Sequence, residues 1–213
     1  AFNKLIKFKI FSNSFRSMDY LFCLNRCFGI QSTSQLSHFE RSFNEIILDG
    51  TNIGDDVVLI KKGHRICGTG GAITNYPIVQ NKAYFEAKIQ QSGTFGIGLA
   101  TKNVDLNSIP LGTDDQSWVL RQDGSIVHNN TILYQNPISI QEGDIVSITY
   151  DHIQLKFFLN NDPINYEVLN VKGSEIFPVV CVDNGSIIDM IFKNFNYQPP
   201  PSFDAILIEK ALL

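Results

Sequence analysis

The 213-residue chain is 44% hydrophobic and carries 17 basic against 21 acidic residues, a formal net charge of −4. That length holds one domain with a sizeable core plus an appendage of about 40 residues. The acidic balance, with no Lys/Arg cluster interleaved with aromatics in the body, excludes a phosphate-neutralising nucleic-acid surface, and no apolar run nears the roughly 20 residues of a bilayer-spanning helix.

The chain opens on AFNKLIKFKIFSNSFRS, in which Lys4, Lys7, Lys9 and Arg16 precede the first acid, Asp19. Such a basic, acid-free stretch reads as a transit peptide, or as an extension upstream of a start at Met18. The second reading is the expectation, with residues 1–17 an upstream or non-native extension, 18–44 a cysteine-containing arm and 45–213 the domain. In that arm, MDYLFCLNRCFGI sets Cys23 and Cys27 among Leu, Phe and Arg. Two palmitoyl chains there would give the stable membrane anchoring that one cannot; the alternative is an arm with unmodified thiols. With Cys67 and Cys181 the chain has four cysteines, too few for a disulfide framework, and it lacks an apolar run followed by a small-residue cleavage site. A reducing cytoplasmic compartment is expected, with membrane association if the arm is acylated.

From residue 45 onward short β-like runs alternate with turn chemistry. VVLIKKG (57–63), YFEAKI (84–89), FGIGLAT (95–101), WVLRQDG (118–124), DIVSITY (144–150), LKFFLN (155–160), FPVVCV (177–182) and IIDMIF (187–192) are rich in β-branched and aromatic residues. In YFEAKI, Tyr84, Glu86 and Lys88 alternate with Phe85, Ala87 and Ile89, predicting one wet and one dry face. KKG, QDG, EGD, NND and DNG between the runs supply positive φ or Asx turns. This spacing predicts an all-β sandwich rather than βαβ units. After Pro199–Pro201, FDAILIEKALL (203–213) has Phe203, Ile206, Leu207 and Lys210/Ala211 near helical spacing, predicting a short C-terminal helix packed back on the sandwich.

Asp151 and His152 stand side by side between two of the strand runs, where a hairpin connection belongs. An aspartate there bonds its own backbone two residues on. A catalytic pair would need an oriented partner and a nucleophile, and adjacent residues on a tight turn usually point apart.

Other candidate chemistry is weaker. CGTGGA (67–72) has G-x-G-G rather than G-x-G-x-x-G, and ITNYPIVQ follows instead of a helix, so a glycine bend or bulge is expected, not a phosphate cradle. His38, His64, His128 and His152 lack metal-site spacing, and Cys23 and Cys27 lack a second pair. Cys67 and Cys181 read as small buried hydrophobes. No G-x-S-x-G is present.

YFEAKI, GTFGIGLAT, GDIVSITYDHIQLKFFLNN and FPVVCVDNGSIIDMIF, in that order and spacing, resemble the core blocks of SPRY domains. The resemblance implies a bent, concanavalin-like jelly-roll sandwich of two antiparallel sheets, acting as a monomeric, non-enzymatic protein-interaction module without a cofactor. Its ligand, a short peptide segment of another protein, would bind loops at one end of the sandwich. Here those are residues 69–76, 109–117 and 182–185, giving Thr69, Asn75, Tyr76, Leu111, Asp114, Asp115, Asp183 and Asn184 as candidates. Familiar peptide-binding members place an aromatic where Asp183 and Asn184 stand. If Asp114, Asp115 and Asp183 cluster, the partner presents Lys or Arg. Trp118 fills the core, with an edge available to floor the site. The alternative functions are a glycan- or small-ligand-binding sandwich, which would show a deep pocket, and an enzyme, which would bury His152 against a nucleophile.

Overall fold

The computed structural model describes residues 45–208; the basic N-terminal stretch, His38, Cys23 and Cys27 lie outside the described residues. Within them the chain forms β1 (Leu48–Ile53), β2 (Asp56–Ile60), β3 (Arg65–Thr74), β4 (Ala83–Gln91), β5 (Thr94–Thr101), β6 (Ser117–Arg121), β7 (Ser125–His128), β8 (Thr131–Gln135), β9 (Ile145–Tyr150), β10 (Gln154–Leu159), β11 (Asp162–Leu169), β12 (Ile176–Asp183), β13 (Ile187–Ile191) and β14 (Asp204–Ala205). One hydrogen-bonded path runs β11-β10-β9-β4-β13-β3-β12-β5-β6-β7-β8, with β1 and β2 added on β3 and β14 on β4.

The two halves of that path meet in β3. Its first half pairs with β2 from Arg65 to Thr69 and with β13 at Arg65 and Ile66, while Gly70 to Ile73 pair with β12. Between the halves, Gly68 and Gly70 adopt φ of 95° and 132°, a region L side chains avoid. A Cβ on Gly68 would stand 2.2 Å from the Asp56 carbonyl oxygen. The glycines of CGTGGA therefore let one strand bend from the first sheet into the second.

Side chains from both sheets fill one core. Phe95, Ile97 and Leu99 of β5, Trp118 and Leu120 of β6, and Val180 and Val182 of β12 share it with Phe85, Ala87 and Ile89 of β4, Val146 and Ile148 of β9 and Phe157 of β10. The alternate residues of the second sheet, including Ala100, Val119, Phe177, Val179 and Cys181, point outward, where Val104 and Leu111 of the long β5–β6 connection cover them. Burial on both faces explains why FPVVCV is apolar throughout rather than alternating.

Two expectations are corrected here. The anticipated wet face of β4 is dry at Tyr84 and Glu86, 2% and 0% exposed, because the segment after β13 folds over it. Glu86 accepts four hydrogen bonds: from the Tyr84 hydroxyl (2.8 Å), the Asn196 main-chain N–H (2.8 Å), the Asn196 amide (2.9 Å) and the Tyr197 N–H (2.9 Å). The C-terminal helix is not formed over 203–208. Asp204 and Ala205 instead pair in parallel with Ala83 and Tyr84. The Gln80 side chain holds them there, donating to the Ala205 carbonyl (2.8 Å) and accepting from the Leu207 N–H (2.7 Å), and Ile206 is buried. Tertiary partners outweigh the local helical spacing.

Tight hairpins finish the outer strands. Asn129–Asn130 and Asn160–Asn161 all have positive φ, the geometry a two-residue turn needs and asparagine tolerates. At the two ends of the path, Tyr134 of β8 and Tyr166 of β11 stack with ring centroids 5.3 Å apart, drawing the sheet almost closed.

Candidate functional site

Asp151 and His152 form the β9–β10 turn. Asp151 Oδ1 accepts from the N–H groups of Ile153 (3.0 Å) and Gln154 (2.8 Å), so its carboxylate serves the turn. His152 adopts φ 64° and is exposed. Its Nε2 meets the Gln80 carbonyl at 2.9 Å, and its ring lies against Tyr150. The two side chains reach different partners, and neither is bonded to a hydroxyl or thiol of any described residue. Among the described residues no group of three or more His, Cys, Asp and Glu is placed to hold a metal ion.

The candidate partner-binding residues do not share one end of the sandwich. Asp183 pairs with Thr94 at the start of β5, whereas Ser117, next to Asp114 and Asp115, pairs with Ala100 near its end. Six residues of extended strand separate these positions, about 20 Å at roughly 3.3 Å per residue. The three acids therefore do not cluster. Asp114 holds its own loop, accepting from the Gln116 N–H (3.1 Å) and the Ser117 hydroxyl (3.0 Å). Asp115 takes the Gln116 amide at 2.6 Å. Leu111 is buried in the outer cluster, and its carbonyl accepts from Arg121. Residues 69–74 are strand rather than loop. Asn75, just beyond, braces the chain before β1 through the Ile47 N–H and the Glu45 carbonyl, and Tyr76 packs on the main core.

The remaining candidates, Thr69, Asp183 and Asn184, do come together at the bend of β3. The Thr69 hydroxyl donates to Asp183 Oδ1 (3.0 Å) and the Asn184 amide to the Thr94 hydroxyl (2.9 Å). Two further segments converge on the same bend. The Gly54 N–H donates to the Gly71 carbonyl (2.8 Å), and the Gly71 N–H to the Leu106 carbonyl (2.7 Å). Asn107 bridges them, its Oδ1 accepting from the Asp55 N–H (2.8 Å) and its own N–H donating to Asp105 Oδ1 (3.0 Å). Asp56 lies opposite Thr69 in the β2–β3 register. The rim so assembled carries Asp55, Asp56, Asp105 and Asp183, and no Lys or Arg occurs in 54–56, 69–71, 93–94, 105–107 or 183–185. Sequence reasoning missed Asp55, Asp56 and Asp105; the signal available was the glycine pair Gly54 and Gly70, whose close approach needs both to lack a side chain.

Elsewhere, ionisable groups are used structurally. Asp189 on β13 accepts from both Arg65 and Lys61. Burial works against its ionisation, yet these hydrogen bonds and charges prevail and hold the carboxyl below the usual range. Cys181 is fully buried, and burial pushes its thiol up to about 11. Cys67 is only half-buried, against expectation, because it lies opposite Val58, which is itself exposed, at the surface of the β2–β3 pair. Trp118 is in the core, stacked on His128 at 4.5 Å.

This geometry can be set beside known proteins. The SPRY domain model matches residues 82–195. SPRY domain-containing protein 7 of Bos taurus is 43% identical over 194 residues, covering 90% of this chain and 97% of that protein. Its Homo sapiens counterpart is 47% identical over 167 residues, covering 78% and 85%. Among solved structures, the SPRY domain of human HERC1 superposes with a TM-score of 0.58 at 15% identity, over 68% of this chain and 96% of that one. The TRIM65 PSpry domain gives 0.58 at 11% identity, over 77% and 99%. Those structures share the fold, and the sequence identity extends the kinship to descent: the chain belongs to the SPRY domain family.

Proposed function

We propose that the protein is a non-enzymatic adaptor that recognises a short basic segment of a partner protein at the acidic rim of the β3 bend. SPRY domains generally serve as protein-interaction modules. The observation that carries the reading is the rim itself. Thr69, Asn107 and the two main-chain bonds through Gly71 fix three chain segments in advance, so little side-chain and loop freedom is lost on binding. Four carboxylates with no cation among them favour lysine or arginine on the partner, through charge-assisted hydrogen bonds and faster encounter.

The test is a cross-linking pull-down from cell lysate analysed by mass spectrometry, comparing the parent chain with Asp56→Lys/Asp183→Lys and with Asp114→Lys at the far end of β5. Partners should be lost from the first variant and retained by the second. Association of a captured partner should slow with Asp183→Lys far more at low than at high salt. Equal capture by all three folded proteins would remove the rim as the recognition surface.

A further inference from the structure

The two strands that end the sheet path, β8 and β11, lie far in strand order from the β3 bend. β8 pairs only with β7 and β11 only with β10 among the described residues, so each keeps one main-chain edge without a sheet partner. Their stacked tyrosines, Tyr134 and Tyr166, close the gap at one point. Beside that point it opens into a groove of about 460 Å³, walled by the 136–139 segment on one side and by Leu159 to Asn165 on the other.

The chemistry of the walls selects among occupants. Ile138 is 61% exposed and sits with Pro137 and Pro163 on the groove's apolar surface. Among the described residues, two carboxylates, Asp144 and Asp162, line it and no Lys or Arg does. Asp144 is already fixed, accepting from the Gln141 N–H (2.7 Å) and the Asn160 amide (2.8 Å). Asp162 is exposed and, though its main chain pairs with Leu159, its carboxylate makes no hydrogen bond or ion pair with any described residue. A second copy of the chain adding edge to edge fits poorly. Both edges are interrupted by register shifts, between Ile126 and Val127 in the β7–β8 ladder and between Lys156 and Phe158 in the β10–β11 ladder, and Pro163 removes an N–H from β11. Long ladders need an unbroken edge, and bulges and proline are what blunt one. A short extended segment needs only a few main-chain bonds and one or two side-chain pockets.

We propose that the groove between β8 and β11 is a docking site for a short extended, lysine- or arginine-bearing segment of a partner polypeptide, separate from the rim at the β3 bend. The cation faces Asp162 and Asp144, beside the Tyr134 ring that lines the groove, and neighbouring aliphatic residues cover Ile138 and Pro163.

The inference is tested by selecting a displayed library of random dodecapeptides on the full chain and synthesising the most enriched sequence for fluorescence anisotropy. Selected peptides should carry Lys or Arg. The synthetic peptide should bind Asp162→Asn and Ile138→Asp at least about tenfold more weakly than the parent, as losing a buried or central anchor does, and bind Asp183→Lys unchanged. Both groove positions are exposed, and unchanged thermal melting shows the variants folded. Failure to enrich any peptide that the groove variants weaken, enrichment of acidic peptides, or concentration-dependent dimerisation abolished by Ile138→Asp would each overturn the proposal. Peptides sensitive only to Asp183→Lys would support the rim while refuting the groove.

Discussion

Replacing Glu86 by glutamine tests how the C-terminal segment is held. The carboxylate is fully buried and shares its two oxygens among four donors, with Tyr84 and Tyr197 on Oε1 and both Asn196 groups on Oε2. Burial and the bond to Glu86 push the Tyr84 hydroxyl well above its usual range, so it stays a donor. A glutamine amide keeps one oxygen and turns an NH₂ on the other pair of donors, whichever way it is placed. One main-chain N–H, of Tyr197 or of Asn196, is then orphaned at about 1–3 kcal/mol, while the Tyr84 hydroxyl or a turned Asn196 amide accepts from the NH₂; with the charge-assisted strength of the remaining bonds also lost, the expected loss is about 3 kcal/mol. For a domain of this size that lowers Tm by about 6–12 °C. The single tryptophan, Trp118, reports urea unfolding, and hydrogen exchange reports the Asn196 and Tyr197 amides directly. Tyr84→Phe removes one donor and leaves three, so it should cost about 1 kcal/mol. A Glu86→Gln protein within about 0.5 kcal/mol of the parent, with both amides still protected, would show that the carboxylate is not what pins the segment.

Asp189→Asn should cost about 2 kcal/mol at pH 7. Because the folded carboxyl lies below its unfolded value, the stability it contributes is complete above that value and is lost as pH falls through the folded one; the gap between variant and parent should narrow below about pH 4, and a urea series in which it persists undiminished at pH 2 would refute the linkage. Gly68→Ala forces a Cβ against the Asp56 carbonyl with a left-handed backbone, so it should lose more than about 3 kcal/mol; unchanged thermal melting would refute the bend. At pH 8, iodoacetamide followed by peptide mass spectrometry should label Cys67 readily and Cys181 only as fast as the chain unfolds, since the Cys181 thiol is buried and protonated there.

Eight strands were legible because their β-branched runs are long and bounded by turn residues: six lie within two positions of the observed β4, β5, β9, β10, β12 and β13, while the runs for β2 and β6 extend three residues into the turns that follow. Among those overlooked, two have plain local causes. β3 hides behind three glycines that the bend requires, and β11 contains Pro163 and Asn165, which an edge strand tolerates and a central one does not. Tail and site were lost to long-range partners. Nothing near Phe203 in sequence announces Gln80 and β4 as its neighbours, and nothing near Asp183 announces Asp56 rather than Asp114. The spacing of strands and turns supplied the sandwich and the family resemblance its bent form, but only the strand register decides which loops share an end.

The position of β3 also bears on how the protein is made. One of its edges is covered early, by β1 and β2, while the other waits for β12 and β13, which the ribosome delivers about a hundred residues later. At roughly 5–20 residues per second that interval is on the order of 5–20 s. Throughout it, the strand destined for the centre of the molecule has an apolar, half-paired edge with no native mate. Newly made chains truncated before Ile176 should therefore be clients of chaperones, and the late strands β12 and β13 are the ones that commit the nascent protein to its fold.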